Sequence, residues 1–347
     1  MSTLRKEQFK ALFPDEPKFR WNQIETARFN PSLEGWRGAT TLPKAMQMKL
    51  MECVPWMAVR EVGVFKSSRG DTYKAVLATR EGQRFETVLM ENRRGQWTIC
   101  VSSQIGCAMR CSFCATGTMG LTRSLTADEI VDQYRYWQQY LHAHPALPPR
   151  ISNVVFMGMG EPLANYEQVK GAIRTWQQYT DLGKTKITVS TVGLVVPLEK
   201  ILTDPEWPEV RLAVSLHSAD PRTRQEIVPT SVPDFLPKLA DWARRYALKY
   251  GNRRHHLTFE YVMLSGINDT PAHAKALGEF SAALGRVKVN VIPYNRVPGK
   301  PFSPSAQESL EQFKSLVRRS GVDVTQRRTM GDDIAAACGQ LVIEGAR

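Results

Sequence analysis

Three cysteines, Cys107, Cys111 and Cys114, stand at the spacing C-x3-C-x2-C directly after the apolar run 97–101. A closed zinc site takes four ligands, usually as two separated pairs, and no fourth cysteine or histidine lies close by. Thiolates are also the ligands of iron–sulfur clusters. Three thiolates on a four-iron cluster leave one iron open to a small molecule, and an open iron turns an electron store into a catalyst. The plainer alternative is three reduced cysteines in a tight turn.

Such side chains need rigid elements to hold them. From residue 96 the chain alternates between β-branched apolar runs and helical stretches. The runs are 97–101, 151–157, 186–190, 211–215, 256–264 and 287–292. A helix opens near Thr126, where Thr126 and Glu129 make a capping box, and others read at 166–179, 236–250, 270–284 and 305–320. Alternating strand and helix implies parallel strands with right-handed crossovers. Six strands predict an α/β fold, an incomplete (βα)6 barrel rather than a closed eight-stranded one.

In barrels of parallel strands the working residues stand just beyond the C-terminal strand ends, and the unusual residues collect there. The three cysteines follow the first strand, and Gly158, Gly160, Glu161 and Pro162 follow the second. Ser190 and Thr191 close the third strand, Ser215, Leu216 and His217 the fourth, and Pro293, Tyr294 and Asn295 the sixth. A lone His217 would be read as a satisfied structural residue, and a glycine pair as an ordinary turn. Five placements around one rim are harder to assign to chance. Farther on, Cys338 lies among small residues. That suits a loop entering a tight cavity, although spacing alone favours a buried helical cysteine.

The chain has 347 residues, 42% of them hydrophobic, enough for one large core with a smaller appended domain. Lys and Arg number 46 against 34 Asp and Glu, a net charge of +12, which favours a polyanionic partner. The six cysteines do not resemble a secreted disulfide framework. The first residues lack an apolar signal core, and no apolar stretch is long enough to span a membrane. The expectation is a reduced, soluble, cytoplasmic protein.

Residues 1–57 read as a helical accessory domain, with helices broken at Pro14 and Pro17 and two more at 19–24 and 43–53. Arg5, Lys6, Lys10, Lys18, Arg20 and Arg37 make it basic, fit for RNA docking or for a merely solvated face. Cys53 reads as a buried small apolar residue. Residues 58–92 read as a β-rich connector with strands at 58–65, 73–77 and 84–90. Residues 93–347 make the barrel and the C-terminal cysteine loop.

The cysteine spacing resembles that of the radical S-adenosylmethionine (SAM) superfamily. Taken with the runs 157–165, 190–193, 215–217 and 336–341, residues 107–117 resemble the RlmN/Cfr family of RNA adenosine methyltransferases. The likeness runs in order from about residue 84 to 341, and 18–50 match loosely. It implies that Cys107, Cys111 and Cys114 hold one [4Fe-4S] cluster. It further implies that Gly160, Glu161, Ser190, Ser215, Leu216, His217 and Asn295 bind SAM. In this reading Gly158 and Gly160 let the backbone approach a ligand closely, and Glu161 accepts from an ammonium or from ribose hydroxyls. By the same resemblance Cys338 is S-methylated by one SAM, and a second SAM, reduced at the cluster, yields the radical that activates the methyl group. Carbon addition to the adenine ring follows. Glu86 then accepts a proton, and thiol exchange with Cys100, a disulfide-forming step, releases the product. Displacement and exchange need thiolates, so depressed thiol pKa values are expected.

The implied partners are ribosomal and possibly transfer RNA and an electron donor such as flavodoxin or ferredoxin, with the enzyme a monomer. Basic clusters at Arg244–Arg245, residues 253–256, Arg318–Arg319 and Arg327–Arg328 suit RNA phosphates. The run 160–166 favours the carbon-2 over the carbon-8 branch. Departures from the family pattern fall at Met330, at Ala335, and at 230–234, and they bear on the target rather than the reaction class. A non-enzymatic iron–sulfur RNA-binding protein is the competing reading.

Overall fold

The computed structural model describes residues 4–251 and 256–343. The expected basic run 253–256 therefore lies, but for His256, outside the described residues. Three helices open the chain: α1 (Arg5–Leu12), α2 (Lys18–Arg28) and α3 (Lys44–Cys53). They enclose a small core of their own, with Phe9, Ile24, Trp36, Met46 and Leu50 buried. Cys53 is exposed at the end of α3, not buried as expected. By the helical repeat it falls on the side of Met46 and Leu50, so its exposure comes from its place as the last residue of the helix and not from the face it is on.

The strands β1 (Val59–Lys66), β2 (Thr72–Thr79), β3 (Arg84–Glu91) and β4 (Trp97–Cys100) run antiparallel to one another. From β4 the same sheet continues in parallel through β7 (Ile151–Phe156), β8 (Ile187–Thr191), β9 (Arg211–Ser215), β10 (Leu257–Met263), β11 (Val287–Pro293) and β12 (Asp323–Gln326). The two short strands β5 (Gln104–Gly106) and β6 (Leu121–Ser124) form a separate ribbon. The ten-stranded sheet has β1 and β12 as its edges and does not close. The segment expected as a connector thus adds three strands to the barrel sheet. The parallel run has one more strand than expected, because β12 is a short strand after α10 (Gln307–Arg319) with only Val322 and Val324 as apolar signal.

The crossover helices are α4 (Ala127–Ala143), α5 (Tyr166–Tyr179), α6 (Val195–Thr203), α7 (Pro221–Ile227), α8 (Phe235–Tyr250), α9 (Pro271–Ala282) and α10. The capping box at α4 is formed: Glu129 N donates to Thr126 Oγ1 at 3.2 Å, and Thr126 N to Glu129 Oε2 at 2.8 Å. In α5 the buried residues Val169, Ala172, Ile173 and Trp176 recur at helical spacing against the sheet. Strands covered on both faces read as continuous apolar runs, as in Leu212, Ala213 and Val214, each at most 1% exposed. No helix among the described residues is long and apolar enough to cross a membrane.

The helical module docks on α4 through a buried ion cluster. Asp132, fully buried, accepts from Arg5 Nη1 at 2.6 Å, Arg135 Nη1 at 2.7 Å and Arg28 Nη2 at 3.0 Å, and from the Ala58 amide at 2.6 Å. Glu25 and Asp128 pair with Arg28 and Arg5, so three guanidiniums face three carboxylates. Arg5, expected as part of a basic RNA face, is instead spent inside. Burial works against the Asp132 charge, but the three guanidiniums outweigh it and hold its carboxyl below the usual range. Removing the central carboxylate takes a carboxylate partner from three cations and leaves Arg135 with none among the described residues, a change that typically costs about 3–5 kcal/mol. Asp132→Ala is expected to lower the denaturant midpoint by that equivalent, and the Asp128→Ala loss to be smaller, because Asp128 touches only Arg5.

Candidate active site

The ribbon β5–β6 is the frame of the cysteine loop. Gly106 is left-handed (φ 77°), and a Cβ there would meet the Gly120 carbonyl oxygen at 1.9 Å. Only glycine therefore lets the ribbon close and Cys107 N reach Gly120 O at 2.8 Å. Within the loop Arg110 is also left-handed, at φ 52°. The thiols of Cys107, Cys111 and Cys114 line one cavity of about 160 Å³ with Gly160, Glu161, Ser190, Ser215, His217, Tyr294 and Cys338. All three are free thiols. Burial pushes Cys107 up to about 12; it raises Cys111 too, with Cys114 and Cys107 adding to the effect.

Cys107 and Cys111 therefore resist ionising side by side unless a cationic centre lies among them. Among the described residues no three His, Cys, Asp or Glu side chains converge tightly enough for a single metal ion. An iron–sulfur cluster is bulkier and does not require its ligands to converge on one point. The donor set is all sulfur, and it opens onto a cavity rather than onto solvent. The residues present fit the cluster.

The glycines after β7 line the three-cysteine cavity and also lie against the chain's own backbone. A Cβ on Gly158 would lie 2.7 Å from Val101 O, and one on Gly160 (φ 96°) 2.8 Å from Gln104 N. Their freedom packs the loop against the chain leaving β4. Glu161 is buried, with Oε1 accepting from Leu163 N at 3.0 Å and Oε2 from Val192 N at 2.9 Å. Burial raises its pKa while those amides oppose the shift. Ser190 Oγ and Ser215 Oγ meet at 3.3 Å across neighbouring strand ends.

His217 is left-handed (φ 57°), and its ring packs edge-on against Phe113 at 4.8 Å. Its Nδ1 accepts from Val262 N at 3.1 Å, which leaves the proton on Nε2. Leu216 lies in the core instead of on the cavity wall, and its backbone amide and carbonyl are taken by Glu260 O and by Arg224.

Cys338 lies in a C-terminal loop, not in the helix that its alanine-rich surroundings favour. Gly331 and Ala335 are both left-handed, and the backbone leaves only one short turn between them. The loop is tied down from several sides. Ala115 N donates to Gly339 O at 2.7 Å, and Thr116 Oγ1 to Leu341 O at 2.6 Å. Asn295 Nδ2 donates to Cys338 O at 3.1 Å, and Lys74 Nζ to Ala335 O at 3.3 Å. Asn295, expected at SAM, is thus engaged with this loop, and it lines a second cavity rather than the first.

That second cavity, about 550 Å³, is lined by Cys100, Cys338, Asn92, Arg93, Asn295 and Arg327 among others. Cys338 and Arg327 line both cavities. Cys100 and Cys338 are both free thiols, so the expected disulfide is not formed. Burial and neighbouring Cys338 push Cys100 up to about 12, contrary to the expected depression. Glu86 is buried on β3, paired with Lys74 Nζ at 2.8 Å and accepting from Val342 N at 2.8 Å. It holds the loop from behind and is not part of either cavity wall.

Sequence reasoning missed Arg327 as a site residue. It grouped Arg327 with surface cations, but Nη1 donates to Cys338 Sγ at 3.4 Å and Met157 Sδ at 2.9 Å, while Nη2 faces Glu260 at 3.7 Å. Lys74 and Glu260 were missed as well. Their signal was a charge inside an otherwise apolar strand. Arg245, another member of an expected basic cluster, is paired with Glu199 and Asp241.

Residues 101–276 match the Radical SAM superfamily. A probable dual-specificity RNA methyltransferase RlmN of Corynebacterium efficiens is 40% identical over 94% of this chain and 88% of its own length. The dual-specificity RNA methyltransferase RlmN of Desulfotalea psychrophila is 36% identical over 95% and 90%. The chain belongs to the RlmN family. A radical SAM methyltransferase from Sphaerobacter thermophilus superposes with a TM-score of 0.88 at 36% identity, covering 100% of this chain and 98% of that one. The RlmN relationship thus spans the helical module as well as the barrel, including the segment 18–50 that resembled the family only loosely.

His217 provides a pH signature for this RlmN-family site. Burial, assisted by Arg224, lowers its pKa to about 3. The folded state then binds fewer protons than the unfolded state. Its stabilising contribution is complete above pH 6.5 and drains away as pH falls toward 3. Between pH 7 and pH 5 the wild type is expected to lose roughly 2 kcal/mol more stability than His217→Gln, as read from denaturant melts at both pH values.

Proposed function

We propose that the protein is a SAM-dependent methyltransferase acting on an adenine ring carbon of RNA, with Cys338 as the methyl carrier and carbon 2 as the favoured position. The observation that carries this reading is the position of Cys338, on the wall shared by the three-cysteine cavity and the larger one. A carrier must face its donor on one side and its acceptor on the other. The RlmN names of the curated relatives support the substrate class, and the run 160–166 supports carbon 2.

Cys107, Cys111 and Cys114 would hold the [4Fe-4S] cluster, and Glu161, Ser190, Ser215 and His217 line the space left for SAM. When bound, cluster and SAM would supply the methyl group and the one-electron chemistry that an electron-poor ring carbon requires. The neutral His217 donates from Nε2 without adding charge. Arg327, donating to Cys338 Sγ, orients the sulfur. The larger cavity, about 550 Å³, is in the size range of small-molecule sites and has room for a nucleotide. Arg93 lines it and is exposed, which suits a phosphate, while Arg328, also exposed, pairs with Asp71 at 3.2 Å.

Cys100, lining the same cavity as Cys338, is the thiol for adduct release. Its raised pKa means that exchange waits for a change in its surroundings, such as arrival of substrate and closer approach of Arg327. Glu86 as acceptor of the ring proton requires the loop at Val342 to lift from it. Ribosomal and transfer RNA are the proposed substrates, and a flavodoxin- or ferredoxin-type protein the electron donor.

Cys338→Ala is expected to abolish RNA methylation, by at least two orders of magnitude, while retaining the iron content and absorbance of the wild type. Mass spectrometry of nucleosides after anaerobic turnover reads both the loss and the position methylated. Normal methyladenosine from the variant would remove Cys338 from the carrier role, and 8-methyladenosine from the wild type would overturn the carbon-2 assignment.

A further inference from the structure

Arg224 is a guanidinium buried at 1% exposure whose hydrogen bonds all go to neutral acceptors. Nη1 donates to Ser215 O at 2.9 Å and to Leu216 O, Nη2 to Val192 O at 2.6 Å, and Nε to Ser231 Oγ at 3.1 Å. Its flat face lies 4.0 Å from the centre of the Phe235 ring. Among the described residues the other deeply buried arginines, Arg5, Arg28 and Arg135, are matched by carboxylates. Arg224 has no carboxylate among its hydrogen-bond partners, and burial lowers its pKa to about 9, which leaves it charged at neutral pH. An isolated charge in such surroundings is costly unless a partner is brought to it.

The partner's place is set by packing. Arg224 is on α7, and the end of that helix is pinned to the cysteine loop by Ser112, whose N and Oγ both donate to Ile227 O, at 3.0 and 3.3 Å. Cys111 and Cys114 pack with Ile227 and Val228 in one apolar cluster. The helix that carries Arg224 is therefore fixed against the cysteine loop, with apolar side chains between them in place of screening water.

We propose that Arg224 is a positioning residue that raises the reduction potential of the cluster held by Cys107, Cys111 and Cys114, its buried charge being left unpaired in order to offset the negative charge that reduction adds. The inference rests on the cluster reading given above. One electron from a low-potential donor, of the flavodoxin or ferredoxin class or dithionite in a cuvette, enters the cluster and adds one negative charge; no bond or proton moves. Cluster potentials respond to net charge and burial, and a desolvated cation acts at higher strength than a surface one. The same side chain ties the carbonyls of β8 and β9 ends together, so its charge and the loops lining the site keep a constant geometry.

The test is anaerobic potentiometry of reconstituted protein without SAM, read by electron paramagnetic resonance of the reduced cluster. Iron and sulfide content are measured first. Arg224→Gln is expected to shift the midpoint to more negative potential, and Arg224→Lys to restore most of the shift. Ser231→Asp guards against a folding defect: it keeps Arg224 and its carbonyl bonds but sets a carboxylate where the Ser231 hydroxyl lies. That variant is expected to shift the midpoint in the same negative direction. Iron-free wild type would overturn the cluster reading and this inference with it. A normal cluster in Ser231→Asp and Arg224→Gln with an unmoved midpoint would overturn the role of Arg224 alone.

Discussion

The hydrogen bonds that fasten the C-terminal loop to the cysteine loop set the geometry of the whole site. Ala115 N to Gly339 O and Thr116 Oγ1 to Leu341 O join segments more than two hundred residues apart in sequence. They place Cys338 on the wall between two cavities. No helix or strand carries Cys338, so its position depends on these bonds, on Asn295 and on Lys74. A site spread over six strand ends is completed by a segment whose own secondary structure is one turn.

The antiparallel strands β1–β3 give that segment its seat. Because they extend the barrel sheet, alternate side chains of β2 and β3 fall beneath the loop. Lys74 and Glu86 lie there as a buried pair, Lys74 reaching Ala335 and Glu86 reaching Val342. Such pairs contribute little net stability after desolvation, yet breaking one is costly. Their effect here is to make one loop register much better than its neighbours. Three non-glycine residues among those described adopt left-handed backbone, Arg110, His217 and Ala335, and each lies in a loop of the site. That conformation costs roughly 1–2 kcal/mol at a non-glycine residue, a strain sustained by the packing around it.

Buried charge recurs as a means of assembly. The Asp132 cluster joins helical module to barrel with charges balanced, and the result is a fixed body. Arg224 hydrogen-bonds only neutral acceptors, and Arg327 divides its guanidinium between the Glu260 carboxylate and the sulfur of Cys338. The contrast separates charges that only hold the fold from those that face the chemistry.

The amino-acid sequence by itself determined the alternation of strand and helix, the three thiols with their loop, and the rim positions after the strands. These are legible because they depend on local spacing: period two or 3.6 for elements, a short fixed interval for ligands. Helices such as 166–179 and the Thr126–Glu129 cap were readable for that reason. Only the tertiary structure decided that residues 58–92 join the barrel sheet, that β12 extends it, and that Arg5 is buried. It also decided that Gly158 and Gly160 face the chain's own backbone, and that Arg327 and Arg224 lie beside cysteines. Each of these is a pairing between residues far apart in the chain. Charge, burial and register at such positions are set by the partner that folding brings, and no local pattern records which partner that is.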